Sequence, residues 1–239
     1  MIRKIEELNT QLFADGADIQ TMIEMSKKPF IKGLTTNPTL MRKAGIRNYK
    51  AFAQEVIQAI QDKPISFEVF SDELEEMISQ GLEIASWGEN VNVKIPITNS
   101  IGHSTESVIK RLSNEGVAIN VTAILTSNQV RTVVQSVNEN SKVFISVFAG
   151  RIADTGKDPI PLMQEALEIM KEKPKAKLIW ASPRELLNVI QADEIGCHII
   201  TATADILKKL DLIGKDLSDY SLETVKMFRN DALASGYSI

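Results

Sequence analysis

With one cysteine and two histidines in 239 residues, the chain is short of the residues that several common chemistries require. Cys197 alone cannot form an intrachain disulfide, which fits a reducing compartment. His103 and His198 lie in no Cys/His spacing suited to zinc, so no metal centre is expected. No excess of basic charge exists: 27 Lys and Arg stand against 31 Asp and Glu, a net −4 with no basic cluster, which argues against a nucleic-acid partner. No apolar run approaches the ~20 residues of a membrane span. The stretch Met1 to Gln11 mixes charges with single apolar residues and lacks the apolar centre of a signal peptide. A cytoplasmic protein with no membrane partner is the expectation. Glycine-rich dinucleotide fingerprints and phosphate loops are missing, and Ser182 lacks a Gly-x-Ser-x-Gly setting. Cys197 reads as a small core residue, and His198 as a strand residue with a satisfied ring.

What is present is an ordinary globular composition, 44% hydrophobic and 24% charged, arranged as short apolar runs alternating with amphipathic segments. The runs are Leu12–Ala14, Gly33–Thr35, Ile65–Val69, Val91–Ile95, Val117–Val121, Val143–Val147, Leu178–Trp180 and His198–Thr201. Most are short and β-branched, as strands buried on both faces of a parallel sheet must be. Helical patterns follow them. Ser71, Thr105 and either Ser127 or Asn128 are candidate caps, and Pro161 suits a first helical turn. Eight strand–helix units predict an α/β fold of the (β/α)8 TIM-barrel type, with a doubly wound open sheet as runner-up because periodicity does not report closure. No linker or repeat divides the chain, so residues 1–239 are read as one barrel domain with a C-terminal helix and tail. Leu222, Val225, Met227 and Phe228 in that helix read chiefly as core packing, with a neighbouring subunit as the alternative.

In a parallel barrel, chemistry collects at the C-terminal ends of the strands. Polar side chains recur there: Asp15, Thr36-Asn37, Glu68, Lys94, Asn120 with Thr122, Ser146, Ser182 and Thr201. Asp15, Asp18 and Asn37 also suit helix caps. Lys94 stands in the apolar run Val91-Asn92-Val93-Lys94-Ile95-Pro96. Turned outward it is an ordinary surface lysine; turned into a closed site it can lose its proton and attack a carbonyl. Glu68 is a poor strand residue on propensity alone. Arg151 and Arg184 lie just beyond strand ends. With Ser182 they suit a phosphate dianion, or else they are solvated surface arginines.

Three runs taken in order, Leu34-Thr35-Thr36-Asn37-Pro38-Thr39-Leu40, Val93-Lys94-Ile95-Pro96 and Ser146-Val147-Phe148-Ala149-Gly150-Arg151-Ile152, resemble the transaldolases. The resemblance is to the small single-barrel branch that also contains the fructose-6-phosphate aldolases. It implies a class I aldolase barrel, free of metal and cofactor, with Schiff-base Lys94 on strand 4. By the same resemblance Asp15 takes the C4 hydroxyl proton, while Glu68 and Thr122 hold a catalytic water. Asn37, Asn120 and Ser146 bind the dihydroxyacetone unit, and Arg151, Ser182 and Arg184 bind phosphate. The substrates implied are sugar phosphates of the pentose phosphate type, sedoheptulose 7-phosphate or fructose 6-phosphate as donor. The assembly implied is a homo-oligomer, with a decamer among the forms known.

Fructose-6-phosphate aldolases carry glutamine where Glu68 stands and tyrosine where Phe148 stands, so the resemblance favours transfer to an aldehyde over release of dihydroxyacetone. The chain departs from the family pattern at Val147, Pro183 and Thr201-Ala202-Thr203-Ala204. Those departures surround the presumed anion site and leave a sulfonated ketose, such as 6-deoxy-6-sulfofructose, as an alternative donor. A non-catalytic barrel is the remaining reading.

Overall fold

The computed structural model describes residues 5–237; residues 1–4 and 238–239 lie outside it. Eight parallel strands pair in sequence order and close on themselves, β1 with β8, as a (β/α)8 barrel. They are β1 Gln11–Asp15, β2 Ile31–Thr35, β3 Ile65–Glu68, β4 Val91–Pro96, β5 Ile119–Ile124, β6 Val143–Val147, β7 Lys177–Trp180 and β8 Ile199–Thr203. Closure excludes the open doubly wound sheet. The strands are buried almost throughout, which is why each reads as a near-continuous apolar run.

Around the barrel run α1 Ile19–Ser26, α2 Pro38–Lys43, α3 Tyr49–Ala59, α4 Leu74–Ala85, α5 Glu106–Asn114, α6 Ser127–Ser136, α7 Ala149–Ala153, α8 Ile160–Met170, α9 Leu187–Glu194, α10 Ala204–Leu207 and α11 Leu217–Ala234. Their starts follow local side-chain chemistry. Asp18 accepts from Thr21 N–H, Asn37 from Leu40 N–H and Asn48 from Ala51 N–H, each satisfying an otherwise orphaned first-turn amide. Pro161 falls in the first turn of α8.

Other caps differ from expectation. Thr126, not Ser127 or Asn128, caps α6, because Gln129 completes a reciprocal capping box with it. α4 starts after Glu73; the Ser71 hydroxyl instead bonds Glu76 and accepts the Glu73 N–H. Thr105 does precede α5, but its hydroxyl donates to the Pro96 carbonyl rather than capping. β5 begins at Ile119, two residues later than its apolar run, and continues to Ile124. Its pairing with β6 slips between Val121 and Ile124, where Ala123 takes φ = 63°.

α11 departs most from expectation. None of its residues is buried, and Leu222, Val225, Met227 and Phe228 are all at least half exposed. They do not pack into the barrel core. Among the described residues no helix is long and apolar enough to cross a membrane.

Candidate active site

Strand register sets the first three groups side by side. Glu68 at the end of β3 is opposite Lys94 on β4, which is opposite Asn120 on β5. Lys94 is 6% exposed, so it is not the surface lysine of the ordinary reading. Its amine donates to the Thr36 carbonyl at 2.7 Å and lies 3.3 Å from a Glu68 carboxylate oxygen. A carbonyl and a carboxylate thus replace the water that the ammonium loses on burial. Thr36 is available because β2 ends one residue earlier, at Thr35, and its carbonyl is not needed for the ladder.

Asp15 ends β1 beside Thr35 and caps no helix. One carboxylate oxygen accepts the Thr35 hydroxyl at 2.7 Å, and the other faces the Asn37 amide at 3.4 Å. Thr201 lies 2.6 Å from the Thr35 hydroxyl; since Thr35 gives its proton to the carboxylate, Thr201 donates in turn. Burial raises the Asp15 pKa above 3.8, and the Glu68 charge adds to this; the Lys94 charge and the two side-chain hydrogen bonds pull the other way without overcoming it. Asn37 does two jobs, capping α2 through its carbonyl oxygen and reaching Asp15 through its amide nitrogen.

Across the barrel Ser146 donates to the Asn120 carbonyl oxygen at 2.7 Å, and Asn120 donates to the Ser66 hydroxyl at 3.0 Å. This buried chain locks the Asn120 rotamer. The Thr122 hydroxyl is buried and has no protein partner among the described residues. A buried hydroxyl in that state is costly unless a ligand or water meets it.

Asp15, Thr35, Asn37, Glu68, Lys94, Asn120, Thr122, Ser146, Phe148, Arg151, Ser182 and Thr201 line one cavity of about 370 Å³ at the C-terminal end of the barrel. Arg151, the third residue of α7, stands over the Phe148 ring with 5.7 Å to its centroid. Ser182 takes φ = 57°, and the preceding carbonyl, Ala181, accepts the Gly150 N–H at 3.3 Å. A Cβ on Gly150 would overlap the Ser182 carbonyl oxygen, so this close approach requires glycine.

Arg184 does not line the cavity. Its guanidinium forms a two-pronged pair with Asp154, at 2.8 and 2.5 Å, and both groups are about half exposed. The Arg184 hydrogen bonds hold the Asp154 carboxyl below the usual carboxylate range. Of the residues expected at the site, Arg184 alone is elsewhere. Conversely, Thr35 and Ser66 were not singled out from sequence, while Thr201, expected as a polar strand end, does join the site; Thr35 stands inside the Thr-Thr-Asn-Pro run, the one signal that could have pointed to it.

The two remaining candidates are structural. Cys197 is buried, and burial pushes its thiol up to about 12. The His198 ring nitrogen accepts the Leu178 N–H at 3.0 Å. Among the described residues no group of three His, Cys, Asp or Glu side chains is placed to hold a metal ion.

The transaldolase/fructose-6-phosphate aldolase family profile matches residues 12–237. The chain belongs to this family. A probable transaldolase from Clostridium acetobutylicum is 36% identical over 214 residues, covering 89% of this chain and 94% of the relative. One from Dehalococcoides mccartyi is 34% identical over 201 residues, covering 84% and 89%. Solved structures similar in fold include a dihydrodipicolinate synthase from Rhodopseudomonas palustris, with TM-score 0.58 and 13% identity over 97% of this chain and 81% of that one. A HpcH/HpaI aldolase/citrate lyase family protein from Burkholderia cenocepacia gives TM-score 0.59 and 12% identity over 91% and 95%. Those likenesses concern the barrel. Membership makes the chain a member of an enzyme family of the aldolase and transferase kind.

Proposed function

We propose that the protein is a transaldolase that moves a dihydroxyacetone unit from a ketose phosphate to an aldose phosphate through a Schiff base on Lys94. The observation that carries this is the buried Lys94 amine, held between the Thr36 carbonyl and Glu68 in the cavity that also contains Asp15. The neutral amine adds to the C2 carbonyl, and loss of water leaves an iminium. Glu68 and the unpartnered Thr122 hydroxyl hold a water that carries protons in these steps. The Asp15 carboxylate takes the C4 hydroxyl proton; the C3–C4 electron pair flows to the iminium nitrogen, an aldehyde leaves and an enamine remains. Addition of the enamine to an acceptor aldehyde reverses these steps, and hydrolysis frees Lys94. A carboxylate with a raised pKa is a better base for that exchange and is ready to return the proton. Asn37, Asn120 and Ser146 bind the hydroxyls of the three-carbon unit, and the Arg151–Ser182 end binds the anion. No metal or cofactor enters this scheme, and the single buried cysteine fits a cytoplasmic setting.

Phe148 favours transfer over release, because its ring has no hydroxyl to protonate the enamine. A second reading, a sulfonated ketose as donor, is favoured by the Arg184–Asp154 pair. With Arg184 engaged, Arg151 is the arginine lining the cavity, and one cation matches a sulfonate monoanion better than a phosphate dianion. α11, none of whose residues is buried, supports a homo-oligomer.

Borohydride reduction with fructose 6-phosphate should add the mass of the reduced three-carbon or six-carbon adduct at Lys94, and Lys94→Met should abolish it. Trapping that survives in K94M sinks the Schiff-base assignment. Dihydroxyacetone released equally fast with and without erythrose 4-phosphate would favour a lyase. A donor panel including 6-deoxy-6-sulfofructose separates the two anion readings.

A further inference from the structure

We infer that Tyr49 is a positioning residue for the reaction, acting through the backbone of Glu68. The inference rests on the role proposed above for Glu68. The β2–β3 ladder pairs Leu34 with Ile65 and Thr35 with Ser66 and goes no further; its last rung is the Thr36 N–H on the Ser66 carbonyl at 3.3 Å. Beyond it the chain turns into α2, because Asn37 caps that helix and Pro38 opens it. The edge of Glu68 that faces β2 therefore has no strand to pair with, while its other neighbour, β4, continues.

The Tyr49 phenol takes the place of the missing rung. Its oxygen accepts the Glu68 N–H at 2.7 Å, and its O–H donates to the Glu68 carbonyl at 3.0 Å. One hydroxyl can make one donation and one such acceptance, so both peptide groups of Glu68 are satisfied by a single atom. Burial raises the phenol's pKa above its ordinary value of 10, so the O–H stays protonated across the working range.

The ring itself is held. Tyr49 is the first residue of α3, set by the Asn48 cap, and its ring meets Phe67, Phe70 and Trp87 edge-on with centroids 6.2, 4.4 and 5.6 Å away. These contacts fix the phenol, the phenol fixes the Glu68 peptide, and that peptide sets the carboxylate 3.3 Å from Lys94. Ladder bonds can be formed by any strand; a side-chain hydroxyl from outside the barrel is used here because α2 must begin where Asn37 can reach Asp15.

The test is a double-mutant cycle of Tyr49→Phe and Glu68→Gln in the donor–acceptor assay, with Leu112→Ala, a buried α5 residue remote from the cavity, as the packing control. Y49F keeps the ring contacts and loses only the hydroxyl. We expect kcat to fall about 10- to 100-fold in Y49F with KM within about twofold, since small misplacements of a catalytic group act on turnover. In the E68Q background, Y49F should lower kcat no further. L112A should lower the melting temperature and leave kcat unchanged, because Leu112 packs against α4 and does not line the cavity. Turnover within twofold of the parent in Y49F, or an equal loss from Y49F in both backgrounds, overturns the inference while leaving the role of Glu68 intact. Parent-level turnover in E68Q removes the role of Glu68 and the inference with it.

Discussion

Asp15 is kept where its charge is disfavoured, and that has a consequence for stability as well as for catalysis. Burial raises its folded-state pKa above 3.8, so between that value and the raised one the folded protein binds more protons than the unfolded chain. A raised carboxylate contributes stability that is fully present below its unfolded pKa and is lost as pH rises through the folded value. At neutral pH Asp15 therefore opposes folding. Asp15→Asn removes the titration, and the variant should gain stability relative to the parent on going from pH 4 to pH 7 while losing turnover. Urea unfolding midpoints at the two pH values measure this; a difference independent of pH would show that burial does not dominate. The opposite shift at Asp154, held down by its Arg184 hydrogen bonds, marks a pair already formed in the free protein. No sequence signal announces that pair, because Asp154 and Arg184 are 30 residues apart and meet only when the β6 and β7 ends lie side by side.

At the scale of elements, the eight strands and the polar residues at their ends were legible because a strand buried on both faces leaves a β-branched run with polar groups only where it meets the cavity. Lys94 on the fourth strand follows from counting alone. Less legible were the features fixed by contacts across elements. Thr126 caps α6 through Gln129, the β5 bulge falls at Ala123, and Tyr49 completes a strand it does not belong to. The approach of α7 to the β7 end is of the same kind. Gly150 abuts the Ser182 backbone, so a methyl group there must push β7's terminal turn away from Arg151. Gly150→Ala should cost about 3 kcal/mol by overpacking, since the obstacle is backbone and not a side chain that can swing aside. Because Arg151 and Ser182 are then separated, KM for a phosphorylated donor should rise more than KM for the free sugar. Equal changes for both donors would detach this contact from anion binding.

For the whole molecule, α11 poses a problem the barrel does not solve. Its 18 residues include none that is buried, and Leu217, Val225, Phe228 and Leu233 are each at least 60% exposed. In proteins most helical stability comes from packing of an apolar face rather than from propensity. The α11 sequence pattern states that cover is needed but not which chain provides it, which is why core packing and a subunit contact read alike from sequence. In the folded chain the core of the barrel is already filled, with the strand interiors and the inner faces of α3 to α6 buried against one another. We propose that the cover comes from outside this copy, since exposed apolar patches of this kind mark association surfaces. A second copy is the natural source, because closed symmetric assembly lets one surface serve every subunit. Sedimentation velocity at micromolar concentration should then find an oligomer. Val225→Glu with Phe228→Glu should shift it to a smaller species that retains the far-ultraviolet dichroism of the barrel. A parent protein that sediments as a monomer would show that α11 is covered by a different partner or by none.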